Sequence, residues 1–147
     1  QNISIQEFAI NTTEKFDGII CNPPFFSHSL TNPEKNKATA RHTIALTPND
    51  LFRCIDKLLN ADGKASIIIP TTEKALFSEA AANNGLYLTH EIQIFPFVNS
   101  QSANRHILFY AKSWKEFSSS SIHIRNEDKT YSDEYKKLTT DYYCTIR

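Results

Sequence analysis

The chain has 147 residues, of which 40% are hydrophobic and 12% are aromatic. This length and composition are typical of a globular protein with a buried core, so disorder throughout the chain is not expected. The 16 basic residues balance the 16 acidic ones, so the net charge at pH 7 is zero. No global charge therefore favours a nucleic acid or a membrane surface, and any contact with a polyanion has to be local.

The three cysteines, Cys21, Cys54 and Cys144, are far apart and odd in number. This spacing favours neither a disulfide framework nor a zinc site, no histidines have ligand spacing, and a reducing cytoplasm fits best. Because no apolar run approaches the length of a membrane span, no membrane contact is predicted. The chain has no methionine and only 3 glycines, so we expect a fragment without a glycine-rich cofactor loop.

The first predicted elements are two strands. Residues 2–8 alternate enough to form a strand end that runs into a turn. The apolar run FDGIIC (residues 16–21) is typical of a central strand buried on both faces. Asn22, Pro23 and Pro24 end this strand, because proline cannot donate a hydrogen bond to a sheet. Residues 27–47 form a polar loop, with a helical turn around residues 34–41.

Helices and strands alternate in the rest of the chain. Thr47 as N-cap and Pro48 at the first helical position predict a helix, and Gly63 ends its connection to a buried strand at residues 64–70. Residues 72–85 form a helix that stops at Gly85. Residues 86–97 and 104–112 form two antiparallel strands. Residues 118–121 form a flexible hairpin tip, residues 122–125 a short strand, and residues 132–138 a last helical turn.

This order of elements predicts an α/β fold in one domain over residues 1–147. Strands that alternate with helices form a mostly parallel sheet through right-handed crossovers, here with an antiparallel C-terminal strand pair. Ligands on such sheets bind beyond the carboxyl ends of the strands. Asn22 lies at such an end, so this segment is the candidate site.

Asn22 and the residues after it combine a rigid backbone with hydrogen-bond acceptors. The simpler interpretation is that Asn22, Pro23 and Pro24 form an ordinary loop and that Phe25 packs in the core. At a strand end, however, the Asn22 side chain and the adjacent carbonyls form an acceptor cluster beside the ring of Phe25. Such a cluster suits a planar group with an NH₂, which donates two hydrogens while its ring stacks on Phe25 for roughly 1–3 kcal/mol.

The segment NPPF after FDGIIC resembles the Asn-Pro-Pro-aromatic motif of class I S-adenosylmethionine-dependent methyltransferases that modify amine or amide nitrogens. The motif alone leaves adenine, guanine and glutamine methylases open. The surrounding segments NPPFFSHSLTNPEKNKATARHT, LTPNDLF, QSANRHIL and YSDEYKKLTTDYY resemble the bacterial tRNA1(Val) adenine methyltransferase family. This resemblance implies a Rossmann-like class I sheet that lacks its first strands, in an N-terminally incomplete domain. It also implies methylation of the 6-amino group of an adenine in the tRNA anticodon loop.

The resemblance assigns roles to individual residues. The Asn22 side-chain oxygen and the Pro23 carbonyl would accept the amine hydrogens, and Phe25 would stack on the flipped-out adenine. Ser4, Ile5 and Asn22 would border the cofactor, S-adenosylmethionine. Further contacts to the tRNA would come from Pro24, Phe26, Lys35, Lys37, Arg41, His42 and Arg105.

Alternatives remain open at this point. The basic loop around Arg41 and His42 could be an ordinary solvated loop, and His42 could instead act as a general base. Arg105 and His106 could contact RNA or simply end a strand. For the whole chain, the alternatives are a guanine-amine methyltransferase of ribosomal RNA, a glutamine-amide methyltransferase, or a non-catalytic RNA-binding fragment. Nothing in the sequence indicates an oligomeric state.

Overall fold

The computed structural model describes residues 3–23 and 46–142. These residues form a five-stranded sheet and four α-helices. The strands are β1 (Phe16–Cys21), β2 (Leu59–Pro70), β3 (Tyr87–Phe97), β4 (Arg105–Ala111) and β5 (Ser118–Arg125). The helices are α1 (Ile5–Asn11), α2 (Pro48–Leu58), α3 (Lys74–Asn83) and α4 (Asp133–Thr139). Short 3-10 helices, Thr71–Glu73 and Thr140–Tyr142, precede α3 and follow α4.

The strands lie in the order β1-β2-β4-β3-β5. β1 pairs parallel to β2, and β3 pairs parallel to β5, whereas β4 pairs antiparallel to both β2 and β3. Four strands therefore run in one direction and β4 runs in the other. This confirms the predicted α/β fold with a mostly parallel sheet and an antiparallel pair formed by β3 and β4.

Local sequence signals placed several elements correctly. At the start of α2, the Thr47 hydroxyl oxygen accepts the Asp50 N–H at 3.1 Å, and Pro48 is the first helical residue. The Thr47 hydroxyl also donates to the Asp50 carboxylate at 2.7 Å, which lowers the pKa of Asp50. α3 ends at the predicted stop, where Gly85 adopts a φ of 72°, a conformation that glycine reaches without strain.

The prediction of a strand end over residues 2–8 was wrong, because this segment contains the start of α1. Ser4 is the N-cap, and its hydroxyl oxygen accepts the Glu7 N–H at 3.1 Å. Ile5 and the buried Ala9 then pack against the core. Ser4 and Glu7 have the spacing of a capping box, so this signal was present in the sequence.

The bounds of β1 were predicted correctly, but its burial on both faces was not. β1 pairs only with β2 among the residues that the structure describes. Ile19 and Cys21 pack against the core, whereas the side chain of Ile20 between them is 91% exposed. One face of this strand is therefore open.

β2 begins five residues earlier than predicted, at Leu59, so Gly63 lies inside the strand. A Cβ atom on Gly63 would lie 2.9 Å from the Phe16 carbonyl oxygen and 2.8 Å from Leu59 Cδ1. Glycine is thus needed where β2 passes close to the start of β1.

The serine run at residues 118–121 is not a hairpin tip. These serines form the first half of β5 and pair with β3, beginning with Ser118 opposite His90. Their side chains are exposed, so backbone pairing holds this polar strand in place without apolar burial. The predicted C-terminal helical turn is confirmed as α4, with Ser132 as its N-cap.

The sheet has two unequal faces. The helix-covered face packs against α2 and α3, and its side chains Ile67, Ile69, Leu108 and Tyr110 are at most 1% exposed. The Phe52 ring of α2 meets the Tyr110 ring edge-on, with centroids 5.0 Å apart. The open face carries Ile20, Ile68, Ile92 and Ile107, and α4 covers part of it around an apolar cavity of about 520 Å³.

None of the helices within residues 3–23 and 46–142 is long and apolar enough to span a membrane.

Candidate active site at the carboxyl edge of the sheet

Asn22 and Pro23 follow directly after the last residue of β1. Cys21 pairs with Ile67 of β2, so Asn22 lies where β1 leaves the sheet. The Asn22 side chain is exposed and Pro23 is buried. The chain therefore presents an amide group at the strand end on a backbone that a buried proline ring restrains. This is the placement that the sequence predicted for the acceptor residues.

Two helices begin at the same edge of the sheet. α1 and α2 each end just before a parallel strand, and Lys57 near the end of α2 contacts the carbonyl of Ile10 near the end of α1 at 3.4 Å. Each helix runs antiparallel to the strand that follows it, so its C-terminal end lies near the start of that strand. The N-caps Ser4 and Thr47 therefore lie at the opposite, carboxyl edge of the sheet. Ser4 is exposed, and Ile5 beside it is half-buried against the core.

Arg105 opens β4 and lies at this edge as well. It pairs with Pro70, three residues beyond the β1 partner Ile67. With strands about 4.8 Å apart and a rise of about 3.3 Å per residue, the Cα atoms of Arg105 and Cys21 are about 14 Å apart. The Arg105 side chain is exposed, and no acidic group within residues 3–23 and 46–142 pairs with it. Its guanidinium is thus available to an external anion.

His106, the neighbour of Arg105, points to the other side. Its side chain lies on the helix-covered face, and the residue is only 5% exposed. The alternation of a strand separates the two residues, so Arg105 can contact a substrate directly and His106 cannot.

The structure does not describe the other predicted site residues. Those that lie outside the described ranges are Pro24, Phe25, Phe26, Lys35, Lys37, Arg41 and His42. Most of the predicted polar loop lies outside these ranges too. Their roles stay predictions.

A buried polar cluster beside the edge was missed in the sequence. Glu91 on β3 is 3% exposed, and its carboxylate accepts hydrogen bonds from Lys74 at 2.6 Å and from His106 at 2.5 Å. Burial alone would raise the pKa of Glu91, but the hydrogen bonds from Lys74 and His106 lower it. The sequence contained a signal for this cluster. Because side chains alternate along a strand, Thr89, Glu91 and Gln93 of β3 lie on one face, so a polar group on that face could have been expected.

Cys21 is the nucleophilic side chain nearest to Asn22 in sequence. Burial raises the pKa of its thiol. A neutral thiol is a poor nucleophile, so covalent catalysis by Cys21 is disfavoured. The side chains at this edge are therefore better suited to hydrogen bonding, as at Asn22, than to covalent catalysis.

The fold resembles that of a protein of known structure. An Agrobacterium tumefaciens protein, described as a predicted O-methyltransferase, superposes with a TM-score of 0.63 at 16% identity. The match covers 92% of this chain and 56% of that one. At this identity the likeness shows the fold alone.

The sequence has curated relatives, although no family model matches it. A Pseudoalteromonas translucida protein is 35% identical over 143 residues, and a Shewanella protein (strain MR-4) is 36% identical over 132 residues. A Bacteroides fragilis protein is 28% identical over 136 residues. All three are named tRNA1(Val) (adenine(37)-N6)-methyltransferase.

The matches cover most of this chain and part of each relative. They extend over 97%, 89% and 92% of the chain, and over 60%, 56% and 57% of the three relatives. The chain thus spans little more than half the length of these proteins. By sequence and fold, it is a homologue of the bacterial tRNA1(Val) adenine methyltransferases, with the sheet of a class I methyltransferase.

Proposed function

We propose that this chain supplies the acceptor half of an S-adenosylmethionine-dependent methyltransferase that modifies the 6-amino group of an adenine in the tRNA anticodon loop. The observation that carries the proposal is the exposed Asn22 amide, followed by buried Pro23, at the carboxyl end of β1. The relatives' names support the substrate and the reaction. Residues 1–147 then form one N-terminally incomplete domain of a cytoplasmic enzyme.

Asn22 and Pro23 hold the amine. The Asn22 side-chain oxygen and the Pro23 carbonyl each accept one hydrogen of the adenine NH₂, while Phe25 stacks on the base. These bonds draw the nitrogen toward a tetrahedral geometry and direct its lone pair away from the ring. The rate enhancement comes from this alignment and from fixed acceptor dipoles.

S-adenosylmethionine, when bound, supplies an electrophilic methyl group. Transfer of this methyl to the amine nitrogen would release the neutral thioether as the leaving group. The amine would lose one hydrogen to water, so a strong base is not needed. Neither Asn22 nor Pro23 changes its protonation state in this scheme.

The described residues fit one side of the cofactor. Ser4 keeps a hydroxyl hydrogen to donate, because its oxygen accepts from Glu7 N–H, and Ile5 adds an apolar wall. The sequence has no glycine-rich loop, since Gly18, Gly63 and Gly85 are isolated. The remaining cofactor contacts belong to the part of the relatives that this chain does not match.

The tRNA contacts surround the acceptor. Arg105 is exposed at the same edge, with a guanidinium free to bind a backbone phosphate. Pro24, Phe26, Lys35, Lys37, Arg41 and His42 complete the proposed substrate surface. The adenine has to leave its stack, which costs less in an anticodon loop than in a duplex.

The test is Asn22→Ala in the full-length protein, with Asn83→Ala, an exposed asparagine at the end of α3, as the matched control. We expect the rate of methyl transfer to tRNA to fall about 100-fold to 1,000-fold in Asn22→Ala. The dissociation constant for the cofactor and the rate of the control should stay near those of the wild type. Mass spectrometry of the tRNA nucleosides identifies the product as N6-methyladenosine.

Three outcomes contradict parts of the proposal. Equal rates in Asn22→Ala and the wild type would exclude the acceptor role. A methylated guanine or glutamine would favour the other amine or amide methyltransferases. RNA binding without any cofactor binding by the full-length protein would favour the non-catalytic fragment.

A further inference from the structure

A chain of hydrogen bonds runs from the core to the loop before Arg105. Lys74 donates to Glu91, Glu91 accepts from His106 Nδ1, and His106 Nε2 lies 3.0 Å from the Thr71 hydroxyl oxygen. The Thr71 hydroxyl in turn donates to the Ala103 carbonyl at 2.7 Å. Thr71 is exposed just after the carboxyl end of β2, whereas Glu91 and His106 are buried.

The hydrogen-bond partners of the His106 ring determine which of its two nitrogens carry a hydrogen. Thr71 has one hydroxyl hydrogen, and the Ala103 carbonyl can only accept, so this hydrogen lies between Thr71 and Ala103. The Thr71 oxygen is then an acceptor for His106, and Nε2 has to donate. Nδ1 donates to the Glu91 carboxylate. When every contact in the chain is a hydrogen bond, both ring nitrogens carry a hydrogen and the ring is an imidazolium.

The surroundings of the ring support this state. The charged groups next to the ring are Glu91 on β3, which contacts it, and Lys74 on α3, which contacts Glu91. Hydrogen bonds from Lys74 and His106 lower the pKa of Glu91, so its carboxylate is charged beside the ring. Arg105 points to the opposite face of the sheet.

Backbone hydrogen bonds extend the chain to the start of β4. Thr71 N–H donates to the Asn104 carbonyl at 3.1 Å, and Asn104 N–H donates to the Ile94 carbonyl at 3.0 Å. Thr71 thus binds two successive residues, Ala103 and Asn104, immediately before Arg105. Arg105 itself pairs with Pro70 and Ile94, so these bonds hold the loop that leads into its strand.

We propose that His106 is a positioning residue: its imidazolium orients the Thr71 hydroxyl toward the Ala103 carbonyl and so restrains the loop that leads into Arg105 at the carboxyl edge of the sheet. With a neutral ring protonated on Nδ1, the Thr71 hydrogen turns to Nε2 and the Ala103 carbonyl loses its donor. One proton on a buried histidine then decides whether the Ala103 carbonyl, two residues before Arg105, keeps its hydrogen-bond donor. The role of Arg105 in tRNA binding rests on the proposed function. The protonation of His106 and the hydrogen bond from Thr71 to Ala103 do not depend on that function.

The first experiment measures the ring. The ¹⁵N shifts of the histidine side chains are recorded at pH 7 on the full-length protein labelled at histidine, and the His106 signals are assigned through their loss in His106→Gln. We expect both His106 nitrogens to show the shifts of an imidazolium. Shifts of a neutral tautomer would overturn the proposal, whatever the methylation activity.

The second experiment uses the exposed Thr71, where substitution spares the core. Thr71→Val removes the hydroxyl, and Thr71→Ser keeps it as the matched control. We expect the KM for tRNA to rise about 2-fold to 10-fold in Thr71→Val, the effect of one hydrogen bond, with kcat unchanged. Thr71→Ser should restore the wild-type KM.

Equal KM values in Thr71→Val and Thr71→Ser would overturn the positioning role. This result is separable from a failure of the proposed function, which Asn22→Ala tests on its own. Hydrogen exchange at the Asn104 amide supplies a readout without tRNA. It should become faster in Thr71→Val and stay at the wild-type rate in Thr71→Ser, and unchanged exchange in both would also overturn the restraint of this loop.

Discussion

The isoleucine run at the end of β2 divides between two different environments. Ile67 and Ile69 lie on the helix-covered face and are fully buried, whereas Ile68 points to the open face and is only partly buried. On the neighbouring strand, Ile20 of the open face is 91% exposed. An isoleucine side chain is thus part of the core on the helix-covered face, whereas on the open face it buries much less apolar surface.

This difference separates stability from function in the molecule. Burial of apolar side chains against α2 and α3 holds the helix-covered face together. The proposed site lies away from the helix-covered face: Asn22 and Arg105 are exposed at the carboxyl edge, with the Arg105 side chain on the open-face side. Substitutions at the edge should therefore change activity with little effect on folding, and substitutions on the helix-covered face should do the reverse.

The two faces should differ most in how much stability is lost when Ile67 or its neighbour Ile68 is replaced by alanine. Ile67→Ala leaves a cavity in the core and should lower the free energy of unfolding by about 2–5 kcal/mol. Ile68→Ala should lower it by about 1 kcal/mol or less, because Ile68 already borders a cavity. Urea denaturation of both variants measures the difference, and equal losses would contradict the assignment of the faces.

The buried phenol of the helix-covered face should make stability fall at alkaline pH. Burial raises the pKa of Tyr110 to about 12 from an ordinary value of 10.0. As pH rises above 10, the unfolded chain loses this proton first, so the folded state is disfavoured by about 1.4 kcal/mol per pH unit up to pH 12. The neutral Tyr110 phenol therefore contributes about 2–3 kcal/mol to the free energy of unfolding below pH 10, and this contribution is lost by about pH 12.

Tyr110→Phe is the control for this alkaline loss. Lysines titrate in the same range, so the comparison between wild type and variant isolates the phenol. Denaturation at several pH values between 9 and 12 should show a steeper loss of stability in the wild type. Parallel curves for the two proteins would mean that the phenol does not contribute.

The smallest effect is expected on the open face. Ile20→Ser in this chain should change the free energy of unfolding by no more than about 0.5 kcal/mol, since the side chain is almost fully exposed. Thermal denaturation of the 147-residue chain measures it. A loss above about 1 kcal/mol would show that the open face is covered in solution and would break the contrast between the faces.

Signals that act within a few residues could be read from the sequence. The N-cap Thr47, the glycine stop after α3 and the proline that follows Asn22 determine where elements begin and end, because each acts on its own backbone. The candidate acceptor at a strand end followed from the same kind of signal. The strand predicted at residues 2–8 failed although the capping signal of Ser4 and Glu7 was present.

Contacts between distant residues could not be read in this way. The burial of Glu91 and His106 depends on the pairing of β3 with β4 and on the packing of α3. The inclusion of the serines of residues 118–121 in β5 depends on its pairing with β3. Such pairings join residues far apart in the chain, so local propensity carries little information about them.

The sequence by itself determined the strand end at Asn22, the start of α2 and the α/β class, since these follow from local backbone chemistry and from the order of elements. Only the tertiary structure decided which face of each strand is buried and which residues lie together at the carboxyl edge. It also separated Arg105, at the surface, from His106, in the core. The physical reason is that a side chain's environment is set by the elements that pack against it, which come from distant parts of the chain.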